Sequence, residues 1–335
     1  MHKSTSSSRN FHAKMMTSSP TASRVKLGRG ALVFAVVVLF ALSMLAPASA
    51  STQTVGDWQN QVRQTPTPGT GCFKVSYPST NWVSVPCGTN PHPGVYYTIG
   101  GTSPDWTGSS SSAMTSSVGQ VTSESTFIGE YQKPGGLSND FSIQLNTNTY
   151  PLTYDGHSTT GWEQFIYGVQ TPSEGGVMIE YWLLGYNNTY DCTSPFFSDG
   201  LGDCTYLTSP TDVSQQGFSQ LALLNQLTSA SFYGKVSSST DTAEFCFSST
   251  CWARSAGDLV SLDNYKWRVS EWNFFGNGGG SEAYFEGPFS LGITVDSYVK
   301  VTVSCYKTTF TGESNNMTLG SCSSSGGQYS FSQSG

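Results

Sequence analysis

The sequence predicts an all-β fold, a two-sheet antiparallel sandwich. Three observations carry that reading: short runs in which apolar and polar residues alternate, turns of Gly, Pro, Asn and Asp between them, and almost no helical periodicity. Composition agrees, because 13% of the 335 residues are aromatic and only 11% are charged, against roughly 25% charged in an average soluble protein.

The first fifty residues hold six basic side chains (Lys3, Arg9, Lys14, Arg24, Lys26, Arg29) and no Asp or Glu. An apolar run from Ala31 to Ala46 follows, and Ala48-Ser49-Ala50 has the small residues of a cleavage site. Residues 1–50 are therefore predicted to be a secretory signal peptide cut after Ala50. The alternative, an uncleaved anchor, fits less well, because the run is shorter than the roughly 20 residues a spanning helix needs and Ser43 interrupts it.

Residues 51–139 form an N-terminal segment. Its first part, 51–70, reads as a leader containing TPTPGT, and 102–120 reads as a Ser-rich, poorly patterned linker. The segment is either a propeptide or an extra pair of strands closed by Cys72 and Cys87.

The sandwich domain is expected over 140–304. FSIQLN, WEQFIYGV, VMIEYWLLGY, ASFYGKVS, AEFCFS, YKWRVSEWNFF, EAYFEG, LGITVD and VKVTVSC all read as strands, and Gln215–Leu227 alone reads as a helix. Residues 305–335 are expected to be a small disulfide-pinned extension.

Cysteine usage fits an exported chain. Cys72, Cys87, Cys192, Cys204, Cys246, Cys251, Cys305 and Cys322 all follow the signal and fall into four near-neighbour couples, so nearest-neighbour pairing is expected. A zinc site is poorly supported, since no CxxC occurs and only His92 and His157 lie beyond the signal. No metal and no other cofactor is expected.

Removing the signal leaves nine basic against 22 acidic groups, a net charge of −13 in place of −7. Such a surface repels phosphate backbones and anionic lipid, which excludes nucleic acid as a partner and the membrane once the signal is gone. Localisation is expected to be extracellular, and the chain is expected to act as a monomer.

Chemistry is sought where polar residues occupy strand positions that should be apolar. Trp267, Val269, Glu271, Asn273 and Phe275 share one period-2 face, mostly large and apolar, yet Glu271 is a carboxylate. Either the face is solvated and Glu271 points to water, or Glu271 is a half-buried acid whose charged form burial disfavours, which suits general acid–base work below neutral pH. Gln164 shares a face with Trp162 and Ile166, and Glu180 shares one with Met178, Trp182, Leu184 and Tyr186. Gln164 could donate an N–H to an oxyanion or simply satisfy a backbone carbonyl. Glu163 should lie on the opposite, solvent-exposed face.

The order FSIQLN, GWEQFIYGV, VMIEYWLLGY and, much later, WRVSEWNFF and EAYFEGPFSLGITVD resembles the secreted glutamic peptidases of the eqolisin family and, more distantly, the neprosin-type enzymes. The resemblance covers roughly 140–297 and consists of order and spacing. It implies a concanavalin/lectin-like sandwich with one concave sheet, Gln164 and Glu271 as catalytic residues, and Glu180 as the match to the Glu of the aromatic-rich strand. The family strand typically carries two Glu four positions apart with the later one catalytic, whereas here Glu271 occupies the earlier position and Phe275 the later. The implied function is an acid-acting endopeptidase on a polypeptide substrate.

The rival reading is a non-catalytic module binding polysaccharide or another surface, in which Trp162, Trp182 and Trp267 line the concave sheet and stack on sugar rings. The same tryptophans serve as substrate-binding candidates for the peptidase, and as ordinary core they would serve neither. A Ser-His-Asp hydrolase lacks a GxSxG elbow. Asp191, Asp199 and Asp203 could attract calcium but lack EF-hand spacing. Asn187 and Asn316 stand in glycosylation sequons.

Overall fold

The computed structural model describes residues 53–89, 103–265, 267–278, 280–308 and 313–335, with the side chains of 103–111, 265 and 303–308 left aside. The predicted signal peptide lies outside the described residues. Residues from Gln53 to Gly335 make one compact unit.

The chain begins with a helix, α1 (Val55–Gln64), and the strands β1 (Gly71–Ser76), β2 (Val83–Val85), β3 (Ser103–Met114), β4 (Ser116–Glu124) and β5 (Gly129–Lys133). Then come β6 (Phe141–Asn146), β7 (Tyr150–Tyr154), β8 (His157–Thr171) and β9 (Glu174–Leu184), followed by β10 (Phe197–Ser198), β11 (Cys204–Leu207) and β12 (Thr211–Val213). After α2 (Gln220–Leu224) the chain runs through β13 (Ala230–Val236), β14 (Thr240–Phe247), β15 (Thr250–Gly257) and α3 (Leu262–Tyr265). It ends with β16 (Trp267–Gly276), β17 (Glu282–Glu286), β18 (Ser290–Asp296), β19 (Thr302–Thr308), β20 (Ser314–Asn315), β21 (Thr318–Ser325) and β22 (Gln328–Ser334).

Two large antiparallel sheets face each other. One has nine strands in the order β2-β1-β15-β14-β13-β4-β18-β22-β21, and the other ten, with the path β10-β11-β9-β8-β6-β16-β3-β19. The core lies between them, where Phe165, Tyr167, Ile179 and Phe274 of the ten-stranded sheet meet Phe232, Phe245, Ile293 and Phe331 of the nine-stranded one. Tyr167 stacks on Phe245 across the gap at 4.2 Å between ring centroids. Gly119 on β4 allows a close approach, since a Cβ there would lie 2.1 Å from the Trp272 indole nitrogen.

The Ser-rich stretch expected as a linker over 102–120 is, over its described residues 103–120, not a loop. It supplies β3 and β4, each paired on both sides within its sheet. Its hydroxyls hid a strand because small polar residues weaken the apolar alternation that reveals one, while the backbone ladder needs no apolar side chain. Ser117 faces inward and bonds to the Ser270 hydroxyl at 2.8 Å.

Two helical readings also change. The expected helix Gln215–Leu227 contracts to α2 and a 3₁₀ turn at Leu227–Ser229, because Gly217 adopts a left-handed φ of 77° and Ser219 caps the helix at the Ala222 N–H. The stretch read as a leader contains α1, capped by Thr54, whose Trp58 and Val62 pack on Phe73, Val75, Trp82 and Ala253. Its apolar face is only those two large residues at i and i+4, too short a stripe to stand out.

Disulfides join Cys72 to Cys87, Cys192 to Cys204 and Cys246 to Cys251, the nearest-neighbour pairs. Cys322 is also disulfide-bonded, and the Cys305 side chain lies outside the described residues. No helix among the described residues is long and apolar enough to cross a membrane.

Candidate functional site

Antiparallel register puts directly opposite residues on one face of a sheet. In the ten-stranded sheet Glu180 of β9 stands opposite Gln164 of β8, Gln164 opposite Asn146 of β6, and Asn146 opposite Glu271 of β16. The next row holds Met178, Ile166, Gln144 and Asn273. Both rows lie on the face away from the sandwich core, since the alternate residues Phe165, Ile179, Leu145 and Trp272 belong to it.

Three members of the row, Glu271, Asn146 and Gln164, form one hydrogen-bonded chain, and Glu180 is held separately. Asn146 Nδ2 donates to Glu271 Oε1 at 3.0 Å, Gln164 Nε2 donates to Asn146 Oδ1 at 2.8 Å, and Trp182 Nε1 donates to Gln164 Oε1 at 3.0 Å. Gln144 Nε2 donates to Glu313 Oε2 at 2.8 Å and to Ser142 Oγ at 2.9 Å. Thr205 Oγ1 donates to Glu180 Oε1 at 2.9 Å.

This polar face is closed to water: Gln164 is 1% exposed, and Glu271, Glu180, Asn146 and Glu313 are 0% exposed. Part of the cover is the segment Glu313–Asn315, whose Asn315 donates to Asn273 Oδ1 at 3.4 Å and to the Phe274 carbonyl at 2.5 Å. Burial disfavours the charged carboxylate. It holds Glu180 well above the usual range, with the nearby Glu313 charge adding to the effect and the Thr205 hydrogen bond opposing it. Burial pushes Glu313 up to about 7 against the hydrogen bonds from Gln144 and the Gly278 backbone.

The sequence candidates separate here. Gln164, Glu180 and Glu271 come together on one face and in one row. Trp162 and Trp182 stand on the same face at a centroid distance of 6.0 Å, but as a buried pair. Trp267 does not join them: the pairing with β3 is irregular between Trp267 and Val269, and its ring lies in the core against Phe165 at 5.7 Å. Phe275, at the position where the resembling family carries its later Glu, is buried opposite Ser142.

Glu163 is also corrected. It lies on the inter-sheet face and is 0% exposed, with neither carboxylate oxygen hydrogen-bonded among the described residues. Burial raises its pKa well above the ordinary range, and the charges of Asp241 and Asp258 push in the same direction.

Gln144, Asn146 and Glu313 were missed. The first two were readable, because Ser142, Gln144 and Asn146 alternate with Phe141, Ile143 and Leu145 in FSIQLN by the same rule that found Gln164. Glu313 has no such signal, since it stands just before the two-residue β20, in the connection from β19 to β21, and not within a long alternating strand.

Among the described residues, Glu244, Cys246 and Cys251 are the group at metal-ligand spacing, but the two cysteines are bonded to each other, which removes the thiolates a metal would use. Asp199 Oδ1 accepts the Leu201 and Asp203 N–H groups at 2.8 and 2.9 Å, and Asp203 Oδ1 accepts the Gly185 N–H at 2.6 Å. These loop acids therefore organise their own turns.

No protein-family model matches the chain, and no curated protein matches it.

Proposed function

We propose that the protein is a secreted, acid-acting hydrolase of peptide bonds that uses Glu271 and Gln164 in the manner of the glutamic peptidases. The observation that carries this reading is the register row Glu180, Gln164, Asn146, Glu271, in which an acid and a primary amide are held on one sheet face by a shared asparagine.

In this reading Glu271, as carboxylate, takes a proton from a water whose oxygen adds to the scissile carbonyl carbon. The Gln164 amide turns its N–H from Asn146 to the oxyanion of the tetrahedral intermediate. Glu271 then gives the proton to the leaving nitrogen as the C–N bond breaks, so the carboxylate is regenerated. Glu180, kept neutral by burial, accepts no share of this charge, and its place beside Gln164 limits the negative charge around the oxyanion. Because the row is buried, substrate access requires the polar face to be uncovered. The predicted export signal, the disulfides and the low cation content all support an extracellular, acidic setting.

The test is cleavage of a denatured protein substrate by purified secreted protein between about pH 2 and pH 7, beside folded Glu271→Gln and Gln164→Ala variants. Acid-optimal cleavage lost in both variants is the expected result. A folded, fully processed wild type that cleaves nothing over this range overturns the reading.

A further inference from the structure

The outer face of the nine-stranded sheet, on the side of the sandwich opposite the Gln164–Glu271 row, carries an open groove of about 820 Å³. A second hollow of about 240 Å³ shares Arg63, Tyr233 and Lys235 with it, so the two form one trough. The trough crosses β14, β13, β4, β18 and β22, adjacent strands in the sheet, which spans about 19 Å at the usual strand spacing. The α1 helix forms one wall, presenting Arg63.

The lining differs from a peptide-binding groove. Its floor is mainly hydroxyls and amides, such as Gln120 and Thr294, with Val118 and Tyr233 largely buried beneath them and Tyr298 open to solvent. A peptide would need apolar pockets for alternate side chains or a free sheet edge, and this is the middle of a sheet. Sugar rings need the combination present here: amide and hydroxyl groups for their hydroxyls and aromatic rings for their C–H faces. Tyr298 stands at the rim, 56% exposed.

Charge narrows the ligand further. Arg63 and Lys235 both act on Glu244, a buried carboxyl in the adjoining hollow. Burial pushes Glu244 up to about 8 in spite of those two cations, so at neutral and acid pH it is largely protonated and does not neutralise them. Asp296 is the acid of the main trough, and its carboxylate is engaged by the Tyr298 N–H at 2.8 Å and Gln328 Nε2 at 3.1 Å. Hydrogen bonds from neutral donors leave Asp296 its charge, so it offsets one of the two cations and the trough keeps a local positive balance on a chain whose surface is otherwise acidic.

We infer that this groove binds a short stretch of acidic polysaccharide, a uronic-acid-containing chain whose carboxylate lies between Arg63 and Lys235 and one of whose rings rests on the exposed Tyr298. The site is independent of the proposed peptidase chemistry. It gives an extracellular protein a hold on an acidic sugar matrix.

The experiment is calorimetric titration of the purified full-length secreted protein with a galacturonate oligomer, beside a neutral gluco-oligosaccharide of equal length and a poly-aspartate peptide. The uronate oligomer should bind, weaken with added salt, and lose about tenfold in affinity in Lys235→Gln. Tyr298→Asn should weaken it also, because asparagine tolerates the left-handed backbone there (φ 55°) while removing the ring. Glu271→Gln should bind as wild type does. No uronate binding by folded protein, equal binding of poly-aspartate, or affinity unchanged in both groove variants overturns the inference.

Discussion

Gln164 and Glu271 stand in one register row, two strands apart, and Asn146 joins them through bonds of 2.8 and 3.0 Å. The amide of Asn146 is oriented by this demand: its oxygen must face Gln164 and its nitrogen Glu271. Both side chains are buried, so neither can turn to water if the asparagine is removed.

Asn146→Ala should therefore destabilise the fold by roughly 1–3 kcal/mol, the cost of leaving a buried donor and a buried carboxylate oxygen without this partner. Urea unfolding monitored by tryptophan fluorescence measures it. An unchanged midpoint would show that the row does not depend on its middle member. If the proposed chemistry holds, cleavage should fall in the same variant, because Glu271 loses the group that orients it.

Much of this fold was legible because strands with one face on a core announce themselves. FSIQLN, WEQFIYGV and VMIEYWLLGY became β6, β8 and β9, and the near-neighbour cysteines paired as their spacing suggested. What failed to show was structure that does not depend on apolar alternation. β3 and β4 are built largely from Ser, Thr and Gly and are held by neighbours on both sides, which no local pattern encodes. Trp267 differs for a related reason: the pairing with β3 is irregular between Trp267 and Val269, where two residues of β16 face five of β3, and strict period-2 counting along β16 cannot detect an irregularity set by the partner strand. Glu163 was assigned to solvent on the assumption that a carboxylate opposite an amide-bearing face must be wet, whereas that face is the sandwich interior.

Gly119→Ala should destabilise the sandwich by about 1–3 kcal/mol through overpacking. The added methyl would sit 2.1 Å from Trp272 Nε1, and Trp272 is only 2% exposed, with little room to retreat. The check is a lowered thermal midpoint with a shifted tryptophan emission. Wild-type stability in this variant would mean the sheets can separate locally at no cost.

The disulfides should contribute unequally. Cys72–Cys87 spans 15 residues and Cys246–Cys251 only 5, and chain-entropy reasoning assigns about 3 and about 2 kcal/mol to loops of those sizes. The shorter bridge also joins residues already opposite each other in the β14–β15 register, so the hairpin retains its pairing without it. Paired Cys→Ala replacements compared by thermal unfolding should show the larger loss for Cys72 and Cys87. The reverse order would show that the hairpin bridge does more than close a loop.

Stability should be greatest in acid and decline as pH rises. Between the sheets, Glu163 on β8 faces Asp241 on β14 and Asp258 just after β15, with Asp263 of α3 beside Asp258 and the Tyr181 hydroxyl donating to Asp241 at 3.1 Å. Burial raises the pKa of Glu163 and Asp241, with the neighbouring acids adding to the effect, and burial also pushes Glu130 and Glu244 up to about 8. Unfolded carboxyls titrate near pH 4, so the native state binds protons more tightly than the unfolded chain. That difference stabilises the fold fully below about pH 4 and is lost as pH rises toward about 8, where the native groups must ionise in place. Calorimetry at pH 4, 6 and 8 should give a falling midpoint, and Glu163→Gln, which mimics the protonated acid, should flatten the fall. A midpoint that rises over this range would mean that these carboxyls are ionised and compensated in the native protein.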